Sequence, residues 1–267
     1  MHPVLFRIGP LQFRAYGLAL AVSFLVGSWL ALKRGRARGY GEDLLLSLFA
    51  WIVAAAVVGA RLHFVLAHPE DFPGPLDALR LWEGGMTLYG GLIGAILASW
   101  LFLRRNRTPF LGVADVVAPS LALGEAITRI GCFVNGCCFG RPCDGALCVR
   151  YPADSYAAAA LGSGVEVFPA QLFLSAGFLL ATVLLLKSER RLGAPGALFG
   201  LYLVLQGLLR WGIDFFRWYE PIDRIPALAP LIGTKSQLVA ALLLVAGAAL
   251  LLRGWRASSA AARERVS

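Results

Sequence analysis

The sequence predicts an all-α integral membrane protein, a seven-transmembrane-helix bundle with outward-facing loops over a polar cavity. Three observations predict it. The chain is 58% hydrophobic and its mean hydropathy is +0.69, against roughly 45–50% apolar residues in an ordinary soluble domain. The apolar residues fall in seven blocks, each of about the 20 residues a helix needs to cross a bilayer. Basic runs follow alternate blocks, as the positive-inside rule requires.

The blocks are residues 16–32, 45–66, 86–103, 113–133, 167–186, 196–216 and 236–252. They are too long for strands of an outer-membrane barrel. The first is followed by Lys33, Arg34, Arg36 and Arg38 and not by a small-residue cleavage site, so no cleavable signal peptide is read there. The other basic runs, 104–107, 187–191 and 253–265, follow blocks three, five and seven. The loops between are mixed or acidic, with Glu70, Asp71, Asp77 and Glu83 in one and Glu220 and Asp223 in another. The N-terminus is therefore expected outside and the C-terminus in the cytoplasm. A net charge of +9 spread in this way reads as topology determinants touching anionic lipid heads, not as a nucleic-acid surface. Residues 1–267 read as one membrane domain, with 256–267 as a flexible cytoplasmic tail. Segments 68–85, 139–166 and 226–233 are rich in Pro and Gly, including Pro73, Pro75, Gly140 and Gly162, and would roof the cavity. Gly90, Gly91 and Gly94 within the third block permit close helix approach.

The stretch 128–141, TRIGCFVNGCCFGR, closes an apolar block yet carries two arginines, three glycines, an asparagine and three cysteines. An arginine near bilayer depth costs roughly 2.5–3.5 kcal/mol on insertion scales, so it is kept where it faces a polar cavity and a partner. Phosphate suits a guanidinium fork in a dry site. Arg61, Arg129 and Arg210 all fall toward the outer half of their blocks and point to a shared anion site. Glu125 and Arg129 are four apart, as are Arg210 and Asp214, so each pair shares a helix face and could also neutralise itself as an intrahelical ion pair.

All five cysteines lie between positions 132 and 148. They lack the paired spacing of zinc or iron–sulfur sites, and the histidines are His2, His63 and His68; no metal and no cofactor are expected. Cys143 and Cys148 fall in a loop expected on the oxidising side, where a disulfide can form. Cys132 reads as a small packing residue near a helix end. The roles of Cys137 and Cys138, inside the polar motif, stay open.

These segments together resemble the prolipoprotein diacylglyceryl transferases, from the first block to the last. YGL at 16–18 looks like the family's first-helix motif, and GARLHFVL at 59–66 its second-helix arginine segment. GMTLYGGLIGA at 85–95 is similar to the HGGLIG motif, and 128–141 to the signature G-R-x-G-N-F-x-N-x-E-x-x-G-R. FPAQL at 168–172 resembles HPxQLYE, and RWGIDFFR at 210–217 resembles R-x-x-x-E-F-F-R. The resemblance implies seven spans in a bacterial inner membrane. It also implies transfer of a diacylglyceryl group from phosphatidylglycerol to the lipobox cysteine of a prolipoprotein signal peptide, or to another thiol acceptor. It implies that Arg129 and Arg210 stabilise the phosphate leaving group, with Arg61 and Arg141 in support. Asn135 and Tyr16 would orient head-group oxygens, and Gly140 would let backbone approach the lipid.

The departures bear on proton transfer. Tyr89 stands at the histidine of HGG, and a phenol with an ordinary pKa near 10 is a poor base at neutral pH. Cys132 replaces the first asparagine of the signature, Cys137 its glutamate, and Asp214 the later glutamate. Tyr89, Arg129, Arg210 and Asp214 are thus the candidate catalytic residues, and Cys132, Cys137 and Cys138 candidate reactive thiols. Two other readings stand beside transfer: a paralogue with a cysteine-based nucleophile or redox centre, and a non-catalytic lipid-binding protein.

Overall fold

The computed structural model describes residues 4–8, 11–72, 85–153, 155–220, 224–225 and 232–264. Among them, every apolar block is a long helix: α1 Ala15–Ala37, α2 Glu42–Ala67, α3 Leu88–Arg105, α4 Phe110–Asn135, α6 Ala170–Ser188, α7 Ala197–Asp214 and α8 Lys235–Glu264, with a short α5, Tyr156–Leu161, in the loop after α4. Helix α8 continues through most of the segment read from sequence as a loose tail. Asp77, Glu83, Asp223, Pro73, Pro75 and residues 226–231 lie outside the described residues.

Five helices, α1, α2, α4, α6 and the Lys235–Arg256 part of α8, are long and apolar enough to cross a membrane. Helices α3 and α7 have 18 residues each; Arg104 and Arg105 dilute the first, and Gln206, Arg210 and Asp214 the second. Large apolar side chains stand exposed along the outer faces, among them Leu25 and Trp29 on α1, Val58 on α2 and Val245 on α8. Contiguous apolar exposure of this kind suits lipid and not water. The chain is a multi-pass membrane protein.

Five small elements, four strands and one short helix, were not read from the sequence. An antiparallel hairpin, β1 Val4–Ile8 with β2 Leu11–Arg14, precedes α1; its strands flank a Gly–Pro pair, a turn signal. The strands β3 Val149–Arg150 and β4 Glu166–Val167 pair antiparallel around α5, whose first turn is capped by Ser155 Oγ accepting from Ala158 N at 3.1 Å.

The chain divides into two compact units. In the unit of residues 32–113, α2 and α3 meet through small residues. A side chain on Gly59 would strike the backbone of Gly90, and one on Gly94 the backbone of Ala55. This is the close approach expected of Gly90 and Gly94. The other unit, residues 1–31 and 114–267, contains most of the polar motif. There Ser23 of α1 donates to Gly124 O of α4 at 2.9 Å, and Ser175 of α6 donates to Ala126 O at 2.9 Å. The buried Asp115 of α4 caps α7, accepting from Gly196 N and Phe199 N at 2.7 Å each. A carboxylate on the first amides of a helix satisfies donors that the helix itself leaves open. Gly200 and Gly207 of α7 pack closely against α8, where added side chains would collide with Leu250 and Leu244.

Candidate functional site

The site begins where α4 ends. Gly136, at φ +73°, takes the left-handed position that closes a helix. Gly136 N donates to Phe133 O at 3.2 Å and Cys137 N to Cys132 O at 3.1 Å, the two bonds of a Schellman cap. That cap folds Cys137 back over Cys132. Cys138 follows at φ +62°, one of two non-glycine residues described in the left-handed region, and turns its thiol to the same place. The Sγ atoms of Cys132, Cys137 and Cys138 all lie within 4.8 Å of one another. The Cys137 thiol donates to Cys132 O at 3.8 Å. Gln171, fully buried on α6, braces the turn: its Nε2 donates to Cys137 O at 2.8 Å and to Tyr151 Oη at 3.0 Å. Burial pushes the Tyr151 phenol up to about 12.

After the cap, the chain runs between two other segments as a short extended bridge. Gly140 N donates to Phe168 O at 2.9 Å, Arg141 N to Phe216 O at 2.8 Å, and Trp218 N to Phe139 O at 3.3 Å. A Cβ on Gly140 would lie 2.5 Å from Phe168 O and 2.8 Å from Phe216 O. Protein backbone from these two segments fills the space this glycine leaves. The bridge joins the signature to the FPAQL and RWGIDFFR segments. Among the described residues, Cys143 and Cys148 form a disulfide in the loop that follows, as their position suggested.

The arginines divide by partner. Arg129 Nη2 pairs with Glu125 Oε2 at 3.2 Å, so the self-neutralising pair is made, and its Nη1 lies 3.9 Å from Cys132 Sγ. Its Nε is buried without a hydrogen-bond partner. The Arg210–Asp214 pair is looser, at 3.8 Å. Arg210 Nε donates instead to Ser236 Oγ at 2.8 Å. The buried Asp214 accepts from Tyr219 Oη at 2.6 Å and from Thr234 Oγ1 at 3.3 Å. Arg217 stacks on the Tyr219 ring at 4.7 Å and donates to its Oη at 3.0 Å, with its Nε buried and unpartnered. Burial, and the hydrogen bond that Tyr219 donates to Asp214, push this phenol up to about 12. A cavity of about 170 Å³ is lined by Arg141, Asp214, Arg217, Tyr219, Arg224 and Thr234, among others. Three guanidinium groups outnumber the one carboxylate around this cavity, which suits it to an anion.

Beside the α4 end lies an apolar groove of about 310 Å³ between α1 and α4, lined by Leu18, Val22, Ile127, Ile130 and Val134 among others. Tyr16 stands at the start of α1, within electrostatic reach of Cys132 and Arg129. Asn135, the last residue of α4, is buried with its Oδ1 unpartnered.

Arg61 and Tyr89 belong to the other unit. Arg61 is buried, donates to Gly85 O at 3.2 Å and lies 4.9 Å from the Phe72 ring. Tyr89, in the first turn of α3, is half exposed. Arg129, Asn135, Gly140, Arg141, Arg210 and Asp214 thus fall in one unit with Tyr16 and the three thiols. Sequence reasoning missed Arg217, Tyr219, Gln171 and Tyr151 as site residues. Arg217 and Gln171 stand inside the quoted motifs and were within reach; Tyr151 and Tyr219 sit in loops with no periodic signal.

The model of a family described as prolipoprotein diacylglyceryl transferase matches residues 3–253. The chain is similar to curated proteins named phosphatidylglycerol–prolipoprotein diacylglyceryl transferase. It is 38% identical over 256 residues to that of Parasynechococcus marenigrum, covering 92% of this chain and 91% of the relative. It is 34% identical over 266 residues to that of Nitratidesulfovibrio vulgaris, covering 95% and 94%. It is 33% identical over 260 residues to that of Pseudoalteromonas atlantica, covering 94% and 89%.

Proposed function

The chain belongs to the prolipoprotein diacylglyceryl transferase family, and from that premise we propose that it moves a diacylglyceryl group from phosphatidylglycerol to the lipobox cysteine thiol of a prolipoprotein. The observation that carries the reading is the pairing of an arginine-lined anion cavity with an apolar groove in one unit. A phospholipid has these two halves. The groove between α1 and α4 takes acyl chain, and the cavity lined by Arg141, Arg217 and Arg224 takes the phosphodiester, with Arg210 within electrostatic reach of Arg217 and Arg129.

The reaction forms a carbon–sulfur bond and breaks the carbon–oxygen bond to phosphate, releasing glycerol phosphate. Negative charge grows on the departing phosphate, so donors fixed in advance around it lower the barrier. The unpartnered Nε groups of Arg129 and Arg217 are such donors. Asp214, held by Tyr219 and Thr234, keeps the RWGIDFFR segment in place. Tyr16 and Asn135 orient the head group, and Arg141, which lines the cavity, adds a further donor to the phosphate.

In this reading α3 and α7 also cross the bilayer, giving seven spans in the bacterial inner membrane with the N-terminus outside. The Cys143–Cys148 disulfide supports placing the loop after α4 on the oxidising side.

The test is turnover of labelled phosphatidylglycerol with a lipobox peptide by purified protein. Thioether product is expected, with a loss of about 10²–10³-fold for Arg129→Ala. Absence of thioether from wild-type protein that still binds phosphatidylglycerol would overturn the reading.

A further inference from the structure

We propose that Cys132, Cys137 and Cys138 form a three-thiolate site for a zinc ion whose fourth position stays open to a substrate thiol. The thiol-activating half of this proposal rests on the transfer reading above; the metal site does not.

The geometry is that of a ligand set. Thiolates about 2.3 Å from a tetrahedral zinc lie roughly 3.8 Å apart, and the three Sγ atoms already fall within 4.8 Å of one another. Small side-chain rotations close that gap. The backbone under them is fixed by the Schellman cap and by Gln171, so the thiols are brought together before any ion arrives. Three thiolates on Zn²⁺ leave one net negative charge. Arg129, 3.9 Å from Cys132 Sγ, and Arg217, within electrostatic reach of Cys138, offset it. Among the described residues no histidine or carboxylate joins the group. Sites with three protein ligands are those that keep a position for an exchangeable group, whereas structural zinc sites close all four.

An open position on zinc has a use here. The transfer reaction needs a thiolate, and Tyr89 and Cys137 replace the residues best suited to take its proton. A thiol that coordinates zinc loses its proton outright. The acceptor S–H bond would break as the sulfur–zinc bond forms, with the proton released to water. The sulfur electron pair would then attack the glyceryl carbon as its bond to the phosphate oxygen breaks, and glycerol phosphate would leave with that electron pair. Cys137 stands at one of the family positions that lost a proton-transfer group, and there sulfur took its place.

The site is tested by anaerobic titration of the purified protein with Cd²⁺, read by the ultraviolet sulfur-to-cadmium charge-transfer band. One equivalent is expected to saturate, Zn²⁺ to bleach the band, and Cys137→Ser/Cys138→Ser to abolish it. Because that variant could misfold, the wild-type protein is also alkylated with and without Zn²⁺ and mapped by mass spectrometry. At least tenfold protection of Cys137 and Cys138 is expected. No saturable band, or equal alkylation rates, would overturn the site. Addition of a lipobox peptide to the Cd²⁺-loaded protein is expected to shift the band, and its Cys→Ser version to leave it unchanged; an identical response to both would overturn the open position. Metal binding without thioether formation would instead sink the transfer reading and leave the site standing.

Discussion

Cys132 and Cys137 are the two ends of one helix cap, joined by the Cys137 N to Cys132 O hydrogen bond at 3.1 Å. In a Schellman cap these positions commonly make an apolar contact. Here both carry thiols, so the turn that ends α4 also assembles sulfur. The residue between them that permits this is Gly136.

Gly136→Ala is therefore expected to act on both stability and the thiols. Its φ of +73° is strained for an L side chain by about 1–2 kcal/mol, and the new Cβ would crowd Ser155 and Tyr151 at 3.2 and 3.3 Å. A lowered melting temperature in detergent and faster alkylation of Cys137 are expected. Unchanged alkylation would mean that the cap does not hold the cluster.

Asp115→Ala removes the carboxylate that accepts from Gly196 N and Phe199 N. Hydrogen bonds to a charged group contribute about 1.5–3 kcal/mol, and the freed amides have no substitute cap at the α7 start. A drop in melting temperature is expected, with α7 amides exchanging hydrogen faster than those of α2. Equal exchange in wild type and variant would remove the capping role.

Tyr219 gives a pH dependence. Its phenol is raised from 10.0 to about 12, so the folded state keeps a proton that the unfolded state releases. The associated stability is whole below pH 10 and is lost as pH rises toward about 12. Alkaline unfolding of wild type is expected to steepen in that window, and of Tyr219→Phe to be flatter there. Superimposable alkaline limbs would show that Tyr219 titrates like a free phenol.

Much of this was legible because membrane helices write themselves in hydropathy and charge. The seven helices fall on the seven apolar blocks, and Gly90 and Gly94 announced a close helix approach, which the structure makes with α2. The elements missed, β1 to β4 and α5, are short and lie in loops where hydropathy is silent. The disulfide was legible because both cysteines sit five residues apart in one loop that the charge pattern expects on the oxidising side. The thiol cluster was not, because ligand spacing was judged along the chain. Cys132 and Cys137 are five apart, a separation that only the left-handed turn at Gly136 converts into contact. Gly140 shows a related limit: a glycine signals close approach without saying what approaches.

Arg217 is the residue where structure adds most to the reaction. It stacks on Tyr219, its Nε is buried and unpartnered, and it lines the anion cavity. A fork that presents several donors at once is matched to a phosphodiester, and lysine supplies the charge without the fork. Arg217→Lys is expected to keep phosphatidylglycerol binding within about tenfold while lowering turnover about 10²-fold, since a fixed donor matters most as charge develops on the leaving group. Arg217→Ala is expected to lower both. The comparison is read from kcat and KM for phosphatidylglycerol in mixed micelles. Equal kcat for the lysine variant and wild type would reduce Arg217 to a source of charge, and would place the leaving-group donors on the other arginines.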